Sequence, residues 1–391
     1  VILQTPDDKF RQQEKKHVSK TKATPTAAFG LALLKKEVAA KPGENVMISP
    51  LSVSIALGMT ANGAKGTTLS GINTALHLKG DQATNNKGYA ALLEKLKRTG
   101  IGVTLDIANG LFARIGVGFK AGFLNTNKKF FGAKIDELDF DDPKTVATIN
   151  GFVSKATNKK INELLKDKIA ADTVMFIINC VYFKGEWTTK FDKRNTKDLD
   201  FAGVGKRATM YRKGAMAYDK DVTGDTYEVM ALPFGKSQAV RALVFLPKAG
   251  KTTDDVLAKL DEKSLLGHAA CEHTSRGELW LPRLQTKYGN KLNASLEALG
   301  MVDAFGAADF SGMRKTPPAL FIKAVQHMTD FAWDEEGAEG AAVTSVEVGF
   351  ECVQIPYKMK VDRPFLAFVI DTETEAVLFA GVITDPAKPR K

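Results

Sequence analysis

Few residues in this chain have the types and spacing that chemistry needs. His268, Cys271 and His273 stand in the run His-Ala-Ala-Cys-Glu-His. Imidazole and thiolate are ligands for a borderline-soft metal. No fourth ligand follows nearby and the flanks read as a loop, so a plain surface loop and no metal is expected. The chain also lacks a Gly-x-Ser-x-Gly elbow, a Walker loop, a His-Glu-x-x-His helix and a Gly-x-Gly-x-x-Gly turn. No catalysis and no cofactor is expected. Asn293-Ala-Ser295 is a glycosylation sequon, but Leu292, Leu296 and Leu299 set it in a helical pattern, which argues against its use. Cys180, Cys271 and Cys352 are too few and too far apart for a disulfide framework.

One segment breaks local rules. Asp334-Glu-Glu-Gly337 is acidic and turn-like, and Glu335, Glu336, Gly337 and Gly340 read as exposed and mobile. The chain then alternates. Ala338, Gly340, Ala342, Thr344, Val346 and Val348 form a small or β-branched, uncharged face. Glu339, Ala341, Val343, Ser345, Glu347 and Gly349 form the other. Period two with one compact face is the pattern of a half-buried strand. The segment can therefore be a loop in one state and a strand in another. A long hairpin arm with a Gly-rich start is the simpler alternative.

The elements that would position it are legible in part. Ala28, Leu31, Ala32 and Lys35, with Phe29, Leu33, Leu34 and Val38, follow helical spacing. Ser49-Pro50 is a good helix start, serine as cap and proline in the first turn. That helix should run through Ile55, Ala56, Leu57 and Met59 and stop at Gly63 or Gly66. Residues 144 to 165 look helical, with Val146, Ile149, Asn150, Val153, Thr157 and Ile161 at three-to-four spacing. Ile107–Phe112 reads as a strand, and Val174–Phe183, apolar on both faces, as a central strand covered on both sides. Further strand-like runs are Glu228–Pro233, Ala242–Pro247, Glu278–Leu284, Phe365–Ile370 and Ala376–Ile383. Helices and strands mix without βαβ periodicity or internal repeats, which indicates α+β with large antiparallel sheets. Trp187 and Trp280 read as core.

The chain has 391 residues, 44% of them hydrophobic, enough for an ample core and too many for disorder. Its longest apolar stretch is far shorter than the ~18–20 residues of a membrane helix, so no membrane contact is expected. The net charge of +10 permits weak polyanion binding. Residues 1–24 read as a basic flexible tail, with Lys9, Arg11, Lys15, Lys16, Lys20 and Lys22. Lys95, Lys97 and Arg98 are a second basic group. Residue 1 is Val, and no charged-then-apolar leader pattern precedes the body.

From about residue 25 to 386 the chain resembles the serpin family. The motifs that carry this are Asn45…Ser49-Pro-x-Ser52…Ala56-Leu-x-Met59…Gly63-Ala-x-Gly66, Ala108-Asn-x-Leu-Phe112, Ile149-Asn-x-x-Val153 and Asn179-x-x-Tyr-Phe-Lys-Gly-x-Trp187. They continue with Leu281-Pro, Leu299-Gly-Met301, Ala308-Asp-Phe-Ser-Gly-Met313, Glu335-Glu-Gly337, Arg363-Pro-Phe365 and Leu378-Phe-x-Gly381. Each motif is weak alone; their joint order and spacing is a strong match.

The resemblance implies one domain over residues 25–388, with three β-sheets, a large central one, a helical crown and an exposed reactive loop at about 335–361. It implies a secreted or extracellular, monomeric inhibitor of serine proteases that acts as a suicide substrate. The protease cleaves the loop, and residues 338–349 then insert into the large sheet with the acyl-enzyme attached. Glu335, Glu336, Gly337, Ala338, Glu339, Gly340, Ala341 and Ala342 match the hinge, with Ala338 exposed until insertion. Ser49, Ser52, Asn179 and His327 match the shutter, and Trp187 the breach. Asn179 is the lone polar side chain in an apolar strand, and a buried amide needs hydrogen bonds. A histidine and serines from neighbouring elements are its expected partners. Counting fourteen residues on from Gly337 gives a reactive bond at Glu351-Cys352, and hence a glutamate-specific protease. A slip of one gives Phe350 and a chymotrypsin-like or subtilisin-like protease. Cys352 is either an oxidisable loop thiol or a plain small residue. The chain departs from the family at Ala338, Gly340, Cys180, Met328 and Thr157-Asn-Lys-Lys-Ile161, which marks a divergent member. A non-inhibitory binding, carrier or storage protein with the same fold is the competing expectation.

Overall fold

The computed structural model describes residues 26–97, 100–221, 223–314, 320–338 and 356–386. The basic tail, Arg98 and residues 339–355 lie outside that set, and with them Phe350, Glu351 and Cys352.

The first helix, α1 (Thr26–Ala40), buries Phe29, Leu31, Leu33 and Leu34. A short strand, β1 (Val46–Ile48), leads to α2 (Pro50–Ala61). Ser49 caps α2 by accepting from the Ser52 N–H, and Pro50 occupies the first turn, where no amide proton is needed. α3 (Gly66–Ala75) and α4 (Gln82–Leu96) follow, then the long strand β2 (Val103–Arg114). Next come α5 (Ala121–Phe131), β3 (Lys134–Leu138) and α6 (Lys144–Ala156). The helix expected over 144–165 ends early. Asn158 and Lys159 turn to positive φ of 47° and 63°. The Thr157 hydroxyl donates to Val153 O and accepts from the Ile161 N–H, so local side-chain bonding overrides the apolar spacing.

β4 (Met175–Glu186) extends the expected central strand by three residues toward Trp187. The chain continues through β5 (Lys197–Phe201), β6 (Gly205–Lys220), β7 (Tyr227–Phe234) and β8 (Val240–Pro247). α7 (Thr253–Lys259) and α8 (Glu262–Ala269) each begin with a capping box. Then come β9 (Ser275–Pro282), β10 (Leu284–Lys291), α9 (Asn293–Glu297), β11 (Gln326–Trp333) and β12 (Gly337–Ala338). β13 (Tyr357–Lys360), β14 (Phe365–Asp371) and β15 (Ala376–Ile383) complete the order. Among the described residues no helix is long and apolar enough to cross a membrane.

The architecture is α+β. Because β6 is long and continuous, the smaller sheets join into one ladder, β1-β15-β14-β8-β7-β6-β9-β13, with β5 on β6. β14 and β15 are buried at every position and form the centre of the core. The large sheet divides into a ladder β12-β4-β2-β3 and a separate pair β10-β11. Between β4 and β11 lies a cleft of ≈ 850 Å³, floored by α2 residues such as Ser52, Val53 and Leu57. On the β2–β4 ladder, Phe112, Ile178 and Cys180 pack with Ile149 and Val153 of α6. Burial pushes the Cys180 thiol up to about 12, so this cysteine acts as a small apolar residue.

Candidate functional site

The upper end of the cleft is held by charge and aromatic stacking. After β11 the chain turns at Asp334 and β12 enters between β11 and β4. Gly337 pairs with Glu186 and Ala338 with Gly185, antiparallel. Gly337 has φ +137°, and a Cβ there would lie 2.0 Å from the Gly185 carbonyl oxygen, so only glycine fits. The Trp187 N–H donates to Glu336 O and the Phe191 N–H to Glu335 O, both at 2.9 Å. Trp187 also donates Nε1–H to Asp334 O at 2.7 Å. Its ring stacks on Phe234 at 4.3 Å and meets Trp333 and Phe191 at 6.1 and 6.2 Å.

These contacts overturn one expectation. Glu335, Glu336, Gly337 and Ala338 are buried, with Glu335 1% and Ala338 0% exposed. The acids are tolerated because cations meet them. Arg283 Nη2 sits 2.7 Å from Glu335 Oε1, and the Thr196 hydroxyl donates to the same oxygen at 2.5 Å. Lys190 and Lys193 reach the two Glu336 oxygens at 3.1 and 3.2 Å. Burial alone would raise both carboxyls, but these partners hold each below the usual glutamate range. The Lys190 ammonium is raised against its own burial by Glu336 and Glu186. Since Ala338 is already inside, a charge placed there would disturb the intact protein too. Of the expected hinge, Glu339, Gly340, Ala341 and Ala342 lie outside the described residues.

The middle of the cleft is held by neutral groups. His327 on β11 is buried and its Nε2 accepts the Ser49 N–H at 3.0 Å. Nε2 is therefore bare and the ring's proton sits on Nδ1. Burial pushes the imidazole down to about 4, against a smaller upward pull from Glu37. Asn179 finds a different partner from those expected. Its Nδ2 donates to Asn109 Oδ1 at 2.7 Å, across the β2–β4 register pair, and Asn109 Nδ2 donates to Phe131 O. Ser52 reaches only the Asn179 backbone carbonyl, at 3.4 Å, and His327 binds Ser49 instead. Asn179 is one of the residues that line the cleft, and its buried Oδ1 has no hydrogen-bond partner among the described residues.

Thr196, Arg283, Lys190 and Lys193 were not picked out from the sequence, and Asn109 stood only inside a motif, with no role assigned to its side chain. Burial of paired acids would have demanded cations, but the acids read as solvated. The His268 surroundings also differ from the loop expected. His268 lies in α8, with Nδ1 2.9 Å from Asp219 Oδ2 and Nε2 3.0 Å from the Tyr227 hydroxyl, so both ring nitrogens are engaged. The sequon is structural: Asn293 Oδ1 accepts the Val325 N–H, and the buried Ser295 hydroxyl donates to Glu37. Trp187 is core as expected, whereas Trp280 is half-buried against Tyr211.

Residues 24–386 match the family described as Serpin (serine protease inhibitor). The chain belongs to the serpin family. It is 32% identical to Serpin B6 of Macaca fascicularis over 93% of this chain and 99% of that one. It is 31% identical to Serpin A3-5 of Bos taurus, covering 97% and 92%. Among solved structures it resembles the thermophilic serpin tengpin in its native state, with TM-score 0.83, 29% identity and coverage of 94% and 95%. It equally resembles human thyroxine-binding globulin complexed with thyroxine, with TM-score 0.83, 25% identity and coverage of 94% and 98%. The family is described by serine protease inhibition, and this serpin matches it along nearly its whole length.

Proposed function

We propose that this serpin inhibits a serine protease as a suicide substrate. The observation that carries the reading is the cleft between β4 and β11, with β12 already paired at its upper end. Once the loop is cut, residues beyond Ala338 extend β12 down the cleft and give the facing strand edges their missing partners. Small residues alternate along one face of that segment, so burial costs little steric work. Glu335, Glu336, Gly337 and Ala338 act as the hinge, Trp187 marks the breach, and Ser49, Ser52, Asn179 and His327 serve as the shutter beside the middle of the cleft. The bond attacked is Glu351-Cys352, or Phe350-Glu351 if the register slips by one. The protease serine adds to the Glu351 carbonyl and expels the Cys352 amine, and the resulting ester is carried along before water reaches it. A glutamate-specific protease is the expected target, acting on a secreted, monomeric inhibitor.

A second reading is a carrier or binding protein. The likeness to thyroxine-binding globulin, whose structure holds thyroxine, favours it. One experiment separates the two. Incubation with a panel of serine proteases should give a denaturation-resistant 1:1 complex and a released peptide beginning at Cys352. A peptide beginning at Glu351 moves the specificity to Phe350. Loop cleavage with every protease left fully active supports the carrier instead.

A further inference from the structure

The cleft between β4 and β11 has an apolar layer on the side away from α2. His327 on β11 faces α2, since its ring binds the Ser49 N–H. Alternation turns the neighbouring Met328 to the other side. On β4, Phe176 and Ile178 face that way too, because both belong to the cluster built on Ile149 and Val153 of α6. The segment after α6 packs Ile161, Leu164 and Leu165 against the same cluster. All six of these side chains line the cleft. They form an apolar outer layer beside the plane of the strands. The whole space, ≈ 850 Å³, lies within the ~300–1,000 Å³ of ordinary ligand pockets.

The lower end of this layer is a mouth of a different character. There Lys291 pairs with Gln326 at the start of β11. Lys323, just before β11, reaches Asp172, just before β4, at 2.6 Å. Phe321 is 54% exposed and Met328 38% exposed, and both line the cleft. Large apolar side chains left uncovered together mark a binding surface. The charged lining residues are Lys160, Lys291, Arg314 and Lys323 against Asp172 and Asp330. Both acids are already met by lysine, Asp172 by Lys323 and Asp330 by Lys287 at 3.1 Å. The lining therefore carries excess positive charge around an apolar bed.

One ligand chemistry answers both features: a long apolar chain with a single anionic end. We propose that the lower, outer part of the cleft binds a long-chain fatty acid. Its carboxylate lies beside Lys291 and Lys323, and its hydrocarbon chain runs along the outer layer between Met328, Ile178 and Leu164. Because the chain rests on side chains, it leaves the polar strand edges of β4 and β11 in contact with water. The site belongs to the intact protein and does not rest on the proposed inhibition.

The test is a titration of the delipidated, intact protein with cis-parinarate, a fatty acid whose polyene chain fluoresces when it leaves water. One saturable site per chain is expected, and palmitate should displace the probe. Each methylene removed from the competitor should weaken it about fourfold. Lys291→Glu should weaken binding about 5–20-fold, and raising the salt should shrink that difference. Leu164→Glu and Met328→Glu, at half-buried and exposed positions, should each weaken it at least ~10-fold by charging the outer layer. Lys360→Glu on β13, outside the cleft lining, should bind as wild type does. Absence of saturable binding, or wild-type affinity in Lys291→Glu and both outer-layer variants, would overturn the site. So would a peptide with the sequence of residues 338–349 that binds where palmitate does not, because the cleft would then accept a strand alone.

Discussion

The walls of the cleft are tied down in two different ways. Its upper end uses ions: Glu335 with Arg283, and Glu336 with Lys190 and Lys193, all around the Trp187 stack. Its middle uses neutral hydrogen bonds: Ser49 to His327, and Asn179 to Asn109. The upper end already contains the two residues of β12, whereas in the middle the Asn179 Oδ1 has no partner among the described residues. The difference teaches that the two regions are held by separate chemistry. One is tied to carboxylate charge and the other to an imidazole kept neutral. Perturbations can therefore loosen one without the other.

The largest effect should come from Trp187→Ala. It removes a 2% exposed ring stacked on Phe234 and the hydrogen bond to Asp334 O. A loss of about 3–5 kcal/mol is expected by urea unfolding, with faster amide exchange at the hinge than in the middle. Equal acceleration at both would merge the two regions into one.

Acid should act next, and in two windows. His327 titrates near 4 when folded, against ~6.5 unfolded. Its folded value is depressed, so the stability it protects is complete above the unfolded value. That stability is lost as pH falls toward the folded value, on the order of 3 kcal/mol in total. Glu335 and Glu336 are also depressed, so their contribution survives until pH falls below the ordinary glutamate value. Stability measured against pH should decline from ~6.5 downward and then more steeply below ~4.3. His327→Gln should abolish the upper decline and keep the lower. An unchanged upper decline would assign it to other groups.

Glu335→Gln should cost less, about 1–2 kcal/mol. Removing one member of a fully buried pair costs more, but the Arg283 side chain is 40% exposed and regains water. The change should speed exchange at Gly337 and Ala338 while leaving the β11 amides near His327 as they were. Ser52→Ala should be smallest, below ~1 kcal/mol, since its 3.4 Å bond is long. A larger loss would mean that Ser52, rather than His327, is the main tie in the middle.

How much of this was readable in the chain depends on the range of each interaction. β4 was legible because its apolar run is local, and α2 because Ser49-Pro50 sits at its start. The extent of α6 was misjudged because Thr157 bonds to Val153 and Ile161 by side chain, which apolar spacing does not register. The burial of Glu335 and Glu336 was not legible. An acidic pair before glycine looks solvated, and the cation and the hydroxyl that bind Glu335 lie 52 and 139 positions away. Asn179 was recognised as needing partners, yet Asn109 was missed, because only the β2–β4 register makes them neighbours.

The central claim is that the cleft is an empty strand position waiting for residues beyond Ala338. The most direct measurement is the melting temperature of the loop-nicked protein against the intact one. About twelve added residues, at ~0.5–1.5 kcal/mol net per ladder bond, imply a gain on the order of 10 kcal/mol before apolar burial is counted. The nicked form should then melt on the order of 10 °C or more above the intact form. A nicked protein that melts at or below the intact temperature would contradict the claim.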